Sequence, residues 1–163
     1  MKTQLIILIV FIFSAFALKA NDEILARVTA VIDGNTIEIE SENNGRQRVL
    51  FIGIDCPELD QEFGEYAKKF VEKLLLNKKI KVVFKGKDRV GNHLAIVLIN
   101  DDDVRIELLK EGLAWTAEKN PAEDLEPYRS WAQQKSRGLW KQSNPTPPWV
   151  FRRQQSMSQP KSS

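Results

Sequence analysis

The chain has 163 residues, enough for one packed domain, and its 24 Lys and Arg nearly balance its 22 Asp and Glu. That balance argues against a polybasic protein whose main task is non-specific binding to duplex nucleic acid. The single cysteine, Cys56, excludes an internal disulfide, so the stability of the fold must come from its core.

The N-terminus has the pattern of an export signal. Lys2 precedes the apolar run 5–13, and small residues that suit a cleavage site follow at Ala17 and Ala20. The pattern predicts a signal peptide over 1–20, cleaved after either alanine, and a periplasmic or secreted protein. The run is shorter than the about 20 residues of a membrane-spanning helix, so no stable membrane insertion is expected after cleavage. An uncleaved N-terminal anchor is the alternative.

Hydrophobic periodicity then predicts the secondary structure in chain order. Segments rich in Val, Ile, Leu and Phe and bounded by turn residues predict five strands, over 24–32, 36–40, 46–54, 80–85 and 93–99. Apolar residues at three- and four-residue spacing predict helices over 62–76, 104–112 and 124–137. This order predicts an α+β, mainly β fold: a five-stranded OB-type Greek-key barrel with three helices, over 22–150. Residues 151–163 are polar and basic and are predicted to form a disordered tail.

Two loops carry candidate oxygen ligands. Asp33-Gly34 is a turn signal between the first two strands and would project Asn35 from a strand end, while Asp55 and Glu58 follow the third strand. Several oxygen ligands are what a hard divalent cation requires, and two of these are anionic. The spacing indicates a hydrolytic phosphodiester site that binds calcium, and the uncharged Asn35 indicates that this chemistry is weakened.

Six short motifs occur in a characteristic order along the chain. They are IDGNT (32–36), IGIDCPE (52–58), FG (63–64), GNHLA (91–95), LKEGLAW (109–115) and GLW (138–140). Together with the order of the predicted elements, they resemble the staphylococcal nuclease (thermonuclease) family over about residues 24–150. The resemblance implies a calcium-dependent phosphodiesterase that acts on DNA and RNA.

The resemblance also implies roles for individual residues. Asp55 matches one calcium-binding aspartate, the carbonyl of Cys56 matches the main-chain calcium ligand, and Glu58 matches the base that acts on the attacking water. Asn35 stands where the second calcium-binding aspartate is implied. Calcium binding is therefore expected to be weak or lost.

Neither of the two arginines implied for transition-state stabilisation is present. Their positions hold Leu50 and Asn92. Removing one such donor commonly lowers the rate about 10²–10³-fold, so the loss of two should be severe. Arg48, on the same strand face as Leu50, and Arg89, three residues before Asn92, are candidate substitutes.

Three hypotheses follow from this pattern. The first is an impaired or inactive nuclease, expected to be a monomer, that keeps affinity for nucleic acid or phosphate through the basic residues Lys81, Lys85, Lys87 and Arg89. The second is an active secreted endonuclease that uses the relocated arginines. The third is a protein-interaction module that uses the Pro-rich C-terminal segment around Trp149.

Other polar residues receive structural interpretations. Asp101 to Asp103 precede the second predicted helix and are expected to cap it rather than to bind a metal. Cys56 as a nucleophile with His93 as its base is the weaker alternative to a buried thiol, and an intermolecular disulfide is a further one.

Overall fold

Eight strands and four α-helices make up the part of the chain that the computed structural model describes, residues 23–119 and 121–158. The predicted signal peptide, 1–20, lies outside these residues. Among the described residues, no helix combines the length and the apolar character needed to cross a bilayer.

The strands are β1 (Glu23–Val31), β2 (Thr36–Ser41), β3 (Gly45–Phe51), β4 (Ile54–Asp55), β5 (Lys79–Lys87), β6 (His93–Ile99), β7 (Asp102–Asp103) and β8 (Trp115–Thr116). The helices are α1 (Gly64–Leu75), α2 (Val104–Lys110), α3 (Glu126–Gln134) and α4 (Pro148–Ser158).

Five of these strands close into a barrel. β1 pairs antiparallel with β2 and β5, β2 pairs with β3, and β5 pairs with β6. A parallel pairing of β3 with β6, with Leu50 opposite Leu94, completes the ring. The predicted α+β, mainly β fold with a five-stranded OB-type barrel is confirmed.

Side chains that alternate between the inside and the outside along each strand fill the barrel interior. On β2, Ile37 and Ile39 are fully buried while Glu38 and Glu40 between and beside them face outward. Each such buried side chain contributes about 1.5–3 kcal/mol to folding. Because a shift of one residue would turn these isoleucines to solvent, the core fixes the strand register and with it the loops at the strand ends.

Helix α1 packs its predicted apolar stripe on the barrel, with Ala67, Val71 and Leu75 fully buried. It begins at Gly64 because Phe63 takes a left-handed conformation, with φ 69°. A Cβ at Gly64 would overlap the carbonyl of Glu58. Glycine here lets the helix start directly against the segment that carries the candidate site.

The other two predicted helices are present with shorter bounds. α2 is capped by Asp103, whose Oδ1 accepts a hydrogen bond from the Arg105 amide at 2.9 Å, which confirms the capping interpretation for that residue. α3 is preceded by a single 3-10 turn, Glu123–Leu125, and a second 3-10 turn, Gly138–Lys141, follows it.

Helix α4 differs from the sequence prediction. Residues 151–158 belong to α4, whereas a disordered tail was predicted from residue 151 onward. Pro148 stands at its first position, where a missing N–H costs no hydrogen bond. Trp149 packs edge-on against Trp115 with ring centroids 5.7 Å apart, and charged partners described below hold the following turns. Residues 159–163 of the predicted tail lie outside the described chain.

Candidate functional site

The loop between β1 and β2 is tied to the segment after β4. Asp33 accepts a hydrogen bond on Oδ1 from the Asn35 amide at 2.9 Å, which shapes the turn. Asn35 in turn accepts one on its own Oδ1 from the Cys56 amide at 3.3 Å. A Cβ at Gly34 would lie 2.7 Å from the Cβ atoms of both Cys56 and Ala67, so only glycine allows the loop this close. The predicted turn thus brings Asn35 against the Asp55 to Glu58 segment.

The two predicted carboxylates, those of Asp55 and Glu58, lie close enough together to share one cation. Asp55 ends β4 and is mostly buried, whereas Glu58 is about one-third exposed. Glu58 closes a turn with Gln61: its amide donates to Gln61 Oε1 at 3.1 Å and its carbonyl accepts from the Gln61 amide at 2.9 Å. One cation reaches both carboxylates.

That cation is Arg152 of helix α4. Its Nη1 and Nη2 donate to Asp55 Oδ1 and Oδ2 at 3.1 and 2.7 Å, and Nη1 also donates to Glu58 Oε1 at 2.6 Å. The hydrogen bonds to Asp55, followed by those to Glu58, raise the pKa of Arg152, so the guanidinium remains charged. A forked pair of this kind is among the stronger charge-assisted contacts in proteins.

Further polar contacts hold α4 across the site. Arg153 pairs with Glu118 at 3.1 Å, and Gln155 donates to Asp60 at 2.6 Å. Only Pro148 of the helix is fully buried. The helix is therefore attached through the Trp149 ring in its first turn and through polar side chains beyond it, and Arg152 covers the carboxylate pair.

Sequence analysis missed Arg152. It lies 97 residues from Asp55 and 94 from Glu58 along the chain, and no motif or spacing rule connects them. The only available signal was a pair of adjacent arginines in a Gln- and Ser-rich segment, which by itself indicates solvent exposure.

The predicted ligands, as arranged, do not fit a calcium ion. Both carboxylate oxygens of Asp55 and one of Glu58 accept hydrogen bonds from Arg152, and the amide oxygen of Asn35 accepts one from the Cys56 amide. While Arg152 bonds these carboxylates, its positive charge repels a second cation from the same oxygens and compensates the anionic ligands that a hard cation requires. Within residues 23–119 and 121–158, no cluster of three or more His, Cys, Asp or Glu side chains could hold a metal.

The two implied arginine positions lie on either side of the barrel closure. Leu50 pairs with Thr36, the neighbour of Asn35, and with Leu94 across the parallel seam. Asn92 lies two residues before Leu94 and donates hydrogen bonds within the hairpin loop. Its amide and its Nδ2 donate to the carboxylate of Asp88, both at 2.9 Å, and the side-chain bond lowers the pKa of Asp88.

The proposed substitute arginines are placed differently. Arg48 donates to Glu38 on the neighbouring strand at 3.2 Å, directly across from it in register. Arg89 is exposed at the tip of the β5–β6 hairpin. Among the described residues, neither Arg48 nor Arg89 makes a hydrogen bond or ion pair with Asp55 or Glu58.

The predicted basic residues Lys81, Lys85 and Lys87 lie in two different environments. Lys81 pairs with Asp101 at 3.0 Å and with Glu23 at 3.7 Å, and the hydrogen bond to Asp101 raises its pKa. Lys85 and Lys87 are exposed beside the hairpin tip. The positive charge of Lys81 is therefore compensated by two carboxylates, whereas Lys85 and Lys87 have no ion-pair partner among the described residues.

Cys56 and His93 do not come together as a nucleophile and base. The Cys56 side chain is buried, and burial together with the nearby carboxylates, Asp55 first, raises the pKa of its thiol well above the ordinary value. His93 packs against Phe84 at 4.9 Å, and burial lowers its pKa. A buried protonated thiol is a structural group and a poor nucleophile.

Comparison with known proteins gives one family. The family model described as staphylococcal nuclease homologue matches residues 48–142. An uncharacterized endonuclease of Haemophilus influenzae is 32% identical over 92% of this chain and 85% of its own length. An uncharacterized endonuclease of Escherichia coli O157:H7 is 33% identical over 89% of this chain and 94% of its own. A thermonuclease of Staphylococcus intermedius is 34% identical over 69% of this chain and 74% of its own.

Proposed function

Since this chain belongs to the staphylococcal nuclease family, we propose that it is an exported thermonuclease-fold protein with an impaired or absent hydrolytic activity and a retained affinity for nucleic acid. The observation that carries the loss of activity is the guanidinium of Arg152, which bonds both Asp55 and Glu58. Export is inferred from the N-terminal pattern, and nucleic acid as the ligand class is inferred from the family.

The chemistry supports this loss in two independent ways. Phosphodiester hydrolysis by this family's implied mechanism needs Glu58 beside an attacking water, but its Oε1 is 2.6 Å from Arg152. The charge that builds up on the reacting phosphate needs donors in front of it, and Leu50 supplies none. Asn92 supplies only neutral side-chain donors, and its Nδ2 is bonded to Asp88. Each missing donor costs about 10²–10³ in rate.

The proposal predicts little or no turnover by the mature chain. We expect hydrolysis of single-stranded DNA and of RNA, in millimolar calcium, to equal that of the Glu58→Gln variant, because neither protein has a complete site. The assay follows acid-soluble nucleotide release, with the Staphylococcus intermedius thermonuclease as the positive control. Turnover clearly above the Glu58→Gln background would overturn the proposal, and its dependence on Arg48→Ala and Arg89→Ala would then identify the relocated arginines.

A second prediction concerns calcium. Arg152→Ala removes the cation from the carboxylate pair, so we expect calcium to raise the Tm of this variant and not that of the unaltered chain. Binding to the folded state alone adds about 2.7 kcal/mol of stability when calcium is at 100 times its Kd. Arg153→Ala is the matched control, because it removes the adjacent arginine and its pair with Glu118 and leaves the site closed. An equal calcium shift in all three proteins would show that Arg152 does not compete with the ion.

A further inference from the structure

A groove of about 660 Å³ lies between α1 and the chain that joins α3 to the 3-10 turn Gly138–Lys141. This volume falls in the range of about 300–1,000 Å³ that is typical of ligand sites. The groove is separate from the carboxylate site, since none of its lining residues belongs to the Asp55 to Glu58 segment or to α4. Its charged lining residues are Lys69, Lys73, Lys135, Arg137, Lys141 and Glu111.

The positive charge of this groove is poorly compensated. Arg137 pairs with Glu111 at 2.7 Å. The four lysines are exposed, and none of them has an ion-pair partner among the residues that the structure describes. The chain beyond residue 20 holds 22 basic and 22 acidic residues, so this concentration reflects segregation of charge and not an overall excess. A concave surface lined by one sign of charge concentrates oppositely charged ligands.

An exposed aromatic ring lies among these lysines. Tyr66 is 68% exposed, although its neighbour in sequence, Ala67, is fully buried in the core stripe of α1. Its ring centroid is 5.7 Å from that of Phe63, which supports it from one side. Trp131, which is exposed but outside the groove lining, lies under the guanidinium of the lining residue Arg137 at 5.6 Å. Aromatic faces beside cations are the elements with which proteins bind unpaired bases.

We propose that this groove binds single-stranded nucleic acid, with backbone phosphates on the four lysines and an unstacked base on Tyr66. The inference rests on the retained affinity in the proposed function and assigns it to a site away from the nuclease carboxylates. A single strand is favoured over a duplex because the bases of a duplex are stacked on one another and are not free to stack on the Tyr66 ring. A membrane surface is disfavoured because flat bilayers meet convex basic patches more readily than concave ones.

The test measures the fluorescence anisotropy of a labelled oligothymidylate with the mature chain at several salt concentrations. Two groove variants are used, Lys69→Ala/Lys73→Ala and Lys135→Ala/Lys141→Ala. Each should weaken binding about tenfold at low salt and make the slope of log K against log salt shallower by about 1.4, since each phosphate contact contributes about 0.7. Lys85→Ala/Lys87→Ala tests the competing basic segment. Lys79→Ala/Lys119→Ala removes two exposed lysines that belong neither to the groove lining nor to that segment, so it is the matched control and should bind like the unaltered chain.

Tyr66 separates stacking from charge. Tyr66→Ala should weaken binding without changing the salt slope, whereas Tyr66→Phe, which keeps the ring, should bind like the unaltered chain. All substituted side chains are exposed, and thermal unfolding followed by circular dichroism checks that each variant folds. Because two independent lysine pairs are tested, the loss of one variant to misfolding leaves the proposal open to refutation by the other.

The possible outcomes distinguish this inference from the proposed function. Binding that survives both groove pairs but is lost in Lys85→Ala/Lys87→Ala would overturn the groove and keep the retained affinity. No binding of the oligonucleotide at low salt would overturn both, while the hydrolysis assay still decides the loss of activity. Lysine-dependent binding to phosphatidylserine vesicles without binding to the oligonucleotide would replace nucleic acid by a lipid surface and overturn the inference.

Discussion

The variant that combines Asn35→Asp, Leu50→Arg, Asn92→Arg and Arg152→Ala is expected to hydrolyse single-stranded DNA at least about 10²–10³ times faster than the unaltered chain in calcium, which is the cost of even one transition-state donor. Asn35→Asp and Arg152→Ala together restore anionic, unblocked oxygens for the ion. The two arginines restore charge opposite the reacting phosphate. Groups that act as a unit are non-additive, so no single substitution should recover measurable turnover.

The decisive control is the triple variant that keeps Arg152. If the guanidinium blocks the carboxylates as we propose, this triple variant should stay near background while the fourfold variant is active. Adding Glu58→Gln to the active variant should abolish turnover and so exclude a contaminating nuclease. Leu50→Arg places a charge beside the barrel seam, so folding is checked by circular dichroism before assay. A folded, calcium-binding fourfold variant without activity would show that the pocket is remodelled beyond these positions.

The barrel could be predicted from sequence because its determinants are local. Alternation on β2 places Ile37 and Ile39 inside and needs no knowledge of the partner strand. The stripe of Ala67, Val71 and Leu75 on α1 is equally local. Bounds were less predictable where backbone geometry decides, as at Phe63, whose left-handed conformation delays the start of α1.

The carboxylate side of the candidate site was also within reach of sequence. Asp55 and Glu58 are three residues apart on one short segment, and the Asp33-Gly34 turn delivers Asn35 to it through a hydrogen bond to the Cys56 amide. Turn chemistry and the motif order were sufficient because each loop is short.

What sequence could not supply was the choice of partner for each charge. Lys81 belongs to a basic run, yet it pairs with Asp101 and Glu23 from other elements. Arg152 opens the Gln- and Ser-rich stretch that follows Phe151, and it reaches the site only because α4 folds back over it. The composition of this stretch correctly indicates that it cannot form a core. It does not reveal the acidic residues Asp55, Glu58 and Glu118 that hold it in place.

The second large expected effect is on stability, at Arg105. This side chain is 5% exposed. Its Nη2 donates to Asp103 Oδ2 at 2.7 Å and its Nη1 to the carbonyl of Ile52 at 3.0 Å. Arg105→Met is expected to lower the free energy of unfolding by about 3–5 kcal/mol, because it leaves the largely buried carboxylate of Asp103 without its cation. Urea denaturation measures this loss.

Two further variants separate the cause of that loss. Arg105→Lys keeps the charge but not the fork, so it should recover only part of the stability. Arg105→Met combined with Asp103→Asn removes the stranded charge while Asn still caps α2, so it should be more stable than Arg105→Met alone. If the double variant is no better, the loss comes instead from the bond to the Ile52 carbonyl, three residues before Asp55. In that case calcium binding by an Arg152→Ala background should weaken as well, since the same bond would be holding the carboxylate segment in place.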